Sequence, residues 1–469
     1  MSESFKPARS PLHDMVTNVF SDSALHACDC RLMPTNQIIA VAPLEVNQAT
    51  IQAAAKPGAK SAASLSKAPV AAYWPQLDGL RSLAFLLVFL HHLGRVADVE
   101  RGALGSVVTP VLPTLDAVCA WGWVGVDIFF SLSGFLITHL LLAEKGRFNS
   151  ISFKLFFARR ALRIWPVYYL VLLFACVIVP LMQWQTLNWP LFYEFLAKQG
   201  IALTFFAGNY SLTFATNILL KFTSALAWPV VFLFLPLWSL AVEEQFYLTW
   251  PFLLKVLPTA KSLYRAIAAL AVFSLAARAI LWYVSRYQYH IAFPVNLYYQ
   301  TTFAHLEPLM AGAACAVTVF YFPQVVDRLK RSASLLIAAL VVLVVPCAIL
   351  LPNIADNSYY NIATFSLVAL GCLLLLATTL VSPAFAKFFS NKALSAFGRL
   401  TYAMYLVHYF AIAVAEKIWQ GNAALASSWQ LQHWPTKFVL ALSMTYLFAF
   451  VSWHLLERHF LKMRKLFSR

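Results

Sequence analysis

Between Leu80 and the end of the chain, apolar runs of roughly twenty residues recur, separated by short polar stretches. A helix of that length crosses the ~30 Å of hydrocarbon in a bilayer. Candidate spans lie at 79–97, 122–142, 163–182, 237–256, 265–284, 299–321, 333–351, 361–381, 396–415 and 438–457. Two further apolar stretches, 191–208 and 218–237, are ambiguous. The runs are continuous and do not alternate, which points to helices and away from a β-barrel. Composition supports this, since 61% of residues are hydrophobic and only 12% charged, too few to cover water-soluble domains. A mean hydropathy of +0.70 excludes a disordered chain as well. The fold class is therefore all-α, a polytopic membrane bundle of about ten transmembrane helices.

Charge sets the expected orientation. The 35 Lys and Arg exceed the 19 Asp and Glu. In an apolar chain that excess belongs to cytoplasmic loops, not to nucleic-acid binding. The 144–163 loop carries Lys145, Arg147, Lys154, Arg159, Arg160 and Arg163 against Glu144. The 323–333 loop, the 382–399 loop and the basic tail at 461–469 are also assigned inside, and the uncharged 352–360 loop outside. Tracing parity gives ten spans with both termini cytoplasmic and 191–236 external or re-entrant; twelve spans is the alternative.

Residues 1–73 read as a polar tail, with an Ala/Ser/Lys/Pro-rich linker at 53–69. The membrane domain is placed at 74–460. No basic region followed by an apolar core and cleavage site precedes it, so the first span is expected to direct insertion. The stretch ISFKLFFARRALR (151–163) gathers Phe153, Phe156 and Phe157, as in an interfacial helix leading into the third span. Cys28 and Cys30 lack a second pair to complete a metal site, and no metal or resident cofactor is expected.

Ionisable residues inside spans cost roughly 2.5–3.5 kcal/mol each and are functional candidates by default. Arg81 and His92 are eleven residues apart, close to three helical turns, so they share a face about 16 Å apart along the axis. Asp78 lies three residues before Arg81 and can pair with it. In the second span Asp127 and Ser131 are i,i+4 neighbours, while Gly125 and Gly134 permit close helix contact. The fourth span holds Glu243 and Glu244, with Ser239, Glu243 and Tyr247 on one stripe. The sixth contributes His305 and Glu307. In the ninth, Thr401, Tyr405 and His408 share a face. A buried histidine that accepts a hydroxyl proton, carboxylates that orient it and an interfacial arginine that binds phosphate suit acyl transfer from a cytoplasmic thioester. A proton-coupled transporter would use the same residue types.

Five segments, QLDGLRSLAFLLVFLHH (76–92), GWVGVDIFFSLSGFLI (122–137), FFARRALRIWPVYYL (156–170), LWSLAVEEQFYLTWP (237–251) and TYAMYLVHYF (401–410), resemble the acyltransferase type 3 family of integral membrane proteins. The resemblance covers 75–469 with the motifs in family order. It implies O-acylation, most often O-acetylation, of carbohydrates such as lipopolysaccharide O-antigen, exopolysaccharide or peptidoglycan. It also implies an acyl-CoA co-substrate, membrane lipid surroundings and the bacterial inner membrane. By that resemblance His92 is the general base, with Asp127 and Glu243 as its catalytic companions. Donor or substrate binding falls to Arg81, Asp78, Ser131, Arg159, Arg160, Arg163, Glu244, Tyr247, His305, Glu307, Tyr405 and His408. The chain departs from the family where TTFAHLEPLMAGAACA (301–316) offers His305 and Glu307 in place of an Arg–Asp pair, and where LLERHF (455–460) lacks the usual proline. No esterase-like segment follows residue 469, so transfer is expected to finish within the membrane domain or on a partner. Succinyl or longer acyl groups remain alternatives to acetyl.

Overall fold

The computed structural model describes residues 73–100, 119–182, 184–185, 187–210, 232–287, 296–350, 360–420 and 434–467. The expectations for residues 1–72, including the 53–69 linker and the Cys28–Cys30 pair, lie outside these, as does most of 218–237. Among the described residues every regular element is helical. In chain order these are α1 (Pro75–Glu100), α2 (Val124–Phe148), α3 (Phe153–Leu173), α4 (Trp189–Thr204), α5 (Leu237–Val256) and α6 (Ala260–Tyr287). There follow α7 (Glu307–Tyr321), α8 (Pro323–Arg331), α9 (Ala333–Leu350), α10 (Tyr360–Val381), α11 (Pro383–Phe389), α12 (Lys392–Gln420), α13 (Trp434–Ser452) and α14 (Arg458–Met463).

Nine of the ten expected spans coincide with one helix each, and the sixth does so only in part. Among the described residues six helical segments are long and apolar enough to cross a membrane, and a seventh results if α7 and α8, bent by 105°, count as one. The helices that carry most candidate site residues, α1, α5 and α12, fall outside those six. Their buried ionisable and polar groups lower the very hydropathy by which spans are recognised.

Two boundaries differ from expectation. The interfacial segment at 151–163 is the first part of a single helical run, α3, which continues through a π-helical turn at Phe174–Ile178 to Met182. The sixth span begins only at Glu307, because 296–305 breaks into a short helix and one 3-10 turn. Pro308 sits in the first turn of α7, where its missing N–H costs nothing. The ambiguous 191–208 region forms α4, whose 16 residues extend about 24 Å, short of a full crossing.

Polar tethers bring the basic ends together. Lys145 on α2 donates to the Leu254 and Leu257 carbonyls at the end of α5, at 2.6 and 3.1 Å. Glu144 accepts from the Ser152 amide at 2.8 Å and from Arg159 at 3.1 Å, joining the end of α2 to the start of α3. Between them Asn149 takes a left-handed conformation, φ 52°, which asparagine tolerates well. Ser395 donates to the Pro75 carbonyl at 3.0 Å, placing the first turns of α12 and α1 side by side.

Burial grades from centre to rim. Phe85 and Phe89 of α1, Phe130 and Phe135 of α2, and Leu309 of α7 are fully buried. In contrast α9 buries no residue, and Val342, Ile349 and Leu350 are about three-quarters exposed. Such a surface is costly in water and suits lipid. The central helices approach closely at glycines. A Cβ at Gly134 would stand 2.1 Å from the Leu309 carbonyl oxygen of α7, and one at Gly398 of α12 would stand 1.8 Å from that of Asp78. Only hydrogen fits at these crossings.

Candidate active site

Helices α1, α2, α3, α5 and α12 surround a partly open cavity of about 100 Å³. At its basic end stand Arg81, Arg160, Arg163 and Arg399. Arg81 donates to Asp78 at 2.5 Å, and the Tyr73 hydroxyl donates to the other Asp78 oxygen at 2.8 Å. Burial and the Asp78 carboxylate push the Tyr73 hydroxyl up to about 12, so it remains a donor at physiological pH. The carboxylate is therefore held on both oxygens, and Arg81 is fixed towards the cavity. Arg160 lies over the Tyr247 ring, 6.0 Å from its centroid, and its Nε is buried without a hydrogen-bond partner among the described residues.

Midway, Glu243 accepts from Ser133 at 2.6 Å and from Tyr247 at 3.0 Å, and Tyr247 also reaches Ser133 at 3.0 Å. All three line the cavity. The i,i+4 stripe Ser239, Glu243, Tyr247 faces this space as the sequence spacing indicates.

The far end is a chain of hydrogen bonds. Ser239 donates to the Pro236 carbonyl at 3.1 Å, which leaves the Tyr405 hydroxyl to donate to Ser239 at 2.7 Å. The Tyr405 carbonyl lies 2.5 Å from His408 Nδ1, so that nitrogen carries the proton. His408 Nε2 is then an acceptor, and it lies 2.7 Å from His92 Nδ1. His92 must therefore be protonated at Nδ1, which leaves its lone pair on Nε2. That is the tautomer a general base requires. The His92 ring packs 4.0 Å from Tyr409 and 5.1 Å from His91. It is only half-buried and lies beyond Tyr405, the last residue lining the cavity on that side.

All the expected site residues but Arg159 fall into three groups. Arg81, Arg160, Arg163, Glu243, Tyr247 and Tyr405 line the cavity. Asp78, His92 and His408 support its two ends, while Glu244 turns towards Trp165 of α3. Asp127, Ser131, His305 and Glu307 form a separate buried cluster. There His305 Nε2 meets Asp127 at 2.7 Å and Nδ1 meets the Tyr299 carbonyl at 2.6 Å, so both ring nitrogens face oxygen acceptors. Glu307 pairs with Arg278 of α6 at 2.5 Å, and Ser131 donates to the Pro308 carbonyl at 2.9 Å. Arg159 is engaged by Glu144 and by the Phe467 carbonyl.

Sequence reasoning missed Arg278, although a lone arginine in the apolar run FSLAARAILW (273–282) is itself a signal. It took Arg399 for a loop charge only. Gly398, Thr401, Tyr402 and Tyr405 mark a helical stripe that continues to Arg399's turn. Among the described residues no group of His, Cys, Asp and Glu could hold a metal ion.

The sequence model of the acyltransferase type 3 family, described as an acyltransferase domain, matches residues 74–454. The chain belongs to this family. It is 28% identical over 353 residues to the peptidoglycan O-acetyltransferase OatA of Listeria monocytogenes, covering 74% of this chain and 50% of that protein. It is 26% identical over 346 residues to the O-acetyltransferase OatA of Staphylococcus aureus, covering 72% and 50%. The putative peptidoglycan O-acetyltransferase YrhL of Bacillus subtilis is 34% identical over 184 residues, 39% of this chain and 24% of that one. The chain spans about half the length of the first two relatives. No solved structure matches.

Proposed function

We infer that this chain is a multi-pass inner-membrane O-acyltransferase that moves an acetyl group from a cytoplasmic acyl-CoA to a hydroxyl of cell-envelope carbohydrate. One observation carries the reading. The cavity runs from four arginines to Tyr405, where the hydrogen-bond chain to His92 begins. The arginines suit the phosphates of the donor, and the cavity suits its pantetheine arm. His92 Nε2 takes the proton of the acceptor hydroxyl as its oxygen attacks the thioester carbonyl. The carbon–sulfur bond then breaks, and the departing thiolate receives that proton from the imidazolium. No resident cofactor takes part, and acyl-CoA is a co-substrate. Glu243, held by Ser133 and Tyr247, places negative charge along the path of the acyl group.

The relatives named as peptidoglycan O-acetyltransferases favour peptidoglycan as the acceptor over lipopolysaccharide or exopolysaccharide. The common basic end formed by α1, α2, α3, α5 and α12 supports ten spans with both termini inside. Mass spectrometry of muropeptides from deletion and complemented strains tests the reading. Acetylated muropeptides are expected to disappear on deletion and return on complementation. Unaltered acylation of peptidoglycan and of the other envelope glycans would overturn it.

A further inference from the structure

The family match stops at residue 454, yet the chain continues into LLERHFLKMRKLFSR. Read as sequence, its basic end is a topology signal. In the structure α14 and the turn Arg464–Phe467 fold back along α3. The Phe467 carbonyl accepts from Arg159 Nη1 at 2.9 Å, which ties that turn to α3. The tether brings the Arg464 guanidinium within electrostatic reach of Arg159, Arg160 and Arg163.

The charges in this cluster are not all matched. Arg159 has Glu144 at 3.1 Å, and Arg81 has Asp78 at 2.5 Å. Arg160, Arg163 and Arg464 form no ion pair among the described residues, although Glu244 and Glu457 contribute to the field around them. Arg160 Nε and Arg464 Nε are both buried without a hydrogen-bond partner among the described residues. Buried donors are normally satisfied, and like charges held together need a counter-charge. A guanidinium fork fits phosphate oxygens two at a time. Arg160 and Arg163 line the basic end of the cavity, within reach of an anion that enters it.

We propose that Arg464 is a donor-binding residue, which together with Arg160 and Arg163 holds the phosphates of the acyl donor, so that the C-terminal segment completes the donor site. The proposal rests on the acyl-CoA reading above. Arg464 does not itself line the cavity but lies within electrostatic reach of Arg160 and Arg163, which do. An anionic lipid headgroup offers the same phosphate chemistry, so the test must separate the two sources.

The full-length protein in detergent is titrated with coenzyme A and, separately, with pantetheine, which lacks the phosphates. Arg464→Gln is expected to weaken coenzyme A binding about tenfold and to leave pantetheine binding unchanged. Arg464→Lys keeps the charge and should retain part of the affinity. Arg458→Gln alters an exposed charge in the same segment and should bind as wild type does. Equal coenzyme A affinity in wild type and Arg464→Gln would overturn the proposal while sparing the acyl-CoA reading. Absence of coenzyme A binding by the wild type would instead undo that reading. Displacement of coenzyme A from the wild type, but not from Arg464→Gln, by a phosphatidylglycerol vesicle is also expected if both phosphates compete for Arg464. Vesicle binding that depends on Arg464 without any competition would assign the site to lipid and overturn the donor role.

Discussion

Two polar clusters lie inside this bundle, built from nearly the same residue types. In one, Asp127 meets His305 and Glu307 meets Arg278, with Ser366 bridging Arg278 at 2.9 Å and Glu307 at 2.7 Å. Asp127 has an imidazole partner and Glu307 a guanidinium, and none of these residues lines the cavity. In the other, four guanidiniums and Glu243 border open space, and Arg160 keeps an unpartnered donor. The first arrangement joins α2, α6, α7 and α10 and borders no part of the cavity, although Asp127 Oδ2 and Arg278 Nε also lack a hydrogen-bond partner among the described residues. The second borders the space where, on the proposal above, the phosphates of the donor enter. Residue chemistry does not distinguish a structural cluster from a binding site, whereas the balance of charges and the empty volume beside them do.

This contrast can be broken experimentally. Arg278→Met leaves Glu307 buried without its cation and should cost about 3–5 kcal/mol of stability. Thermal unfolding in detergent measures it. Arg163→Gln at the cavity should leave the unfolding midpoint unchanged or higher, because it relieves like-charge repulsion, while weakening coenzyme A binding. Equal destabilisation by both substitutions would erase the distinction between the clusters. A smaller effect sharpens it. Glu243→Gln keeps the shape and one of the two acceptor oxygens, turns the other position into a donor and removes the carboxylate. It should slow transfer about tenfold with little change in stability. An unchanged rate would make Glu243 part of the scaffold.

Periodicity made much of the site legible. Arg81 and His92 occupy one face of α1; Ser239, Glu243 and Tyr247 one face of α5; Thr401, Tyr405 and His408 one face of α12. In each case the helical repeat alone fixes the shared face. What the repeat does not specify is which neighbour that face meets. Asp127 has the same local signature as Glu243, yet its partner His305 is 178 residues away and comes from a broken segment before α7. Ser131 and Ser133 differ by two positions, which turns one towards Pro308 and the other towards Glu243. Arg464 and Arg399 read as loop charges because their surroundings depend on how the last turn packs against α3 and how α12 packs against α1. The helical character of the chain was legible for a simpler reason, since an apolar run of twenty residues has few other stable conformations in lipid.

The most direct test concerns the His92 imidazole. Acetyl transfer from acetyl-CoA by the purified protein should be compared for wild type and His92→Ala at equal folded fraction. A loss of about two to four orders of magnitude with unchanged coenzyme A binding is the expected result. A His92→Ala enzyme that transfers acetyl at the wild-type rate would contradict the account.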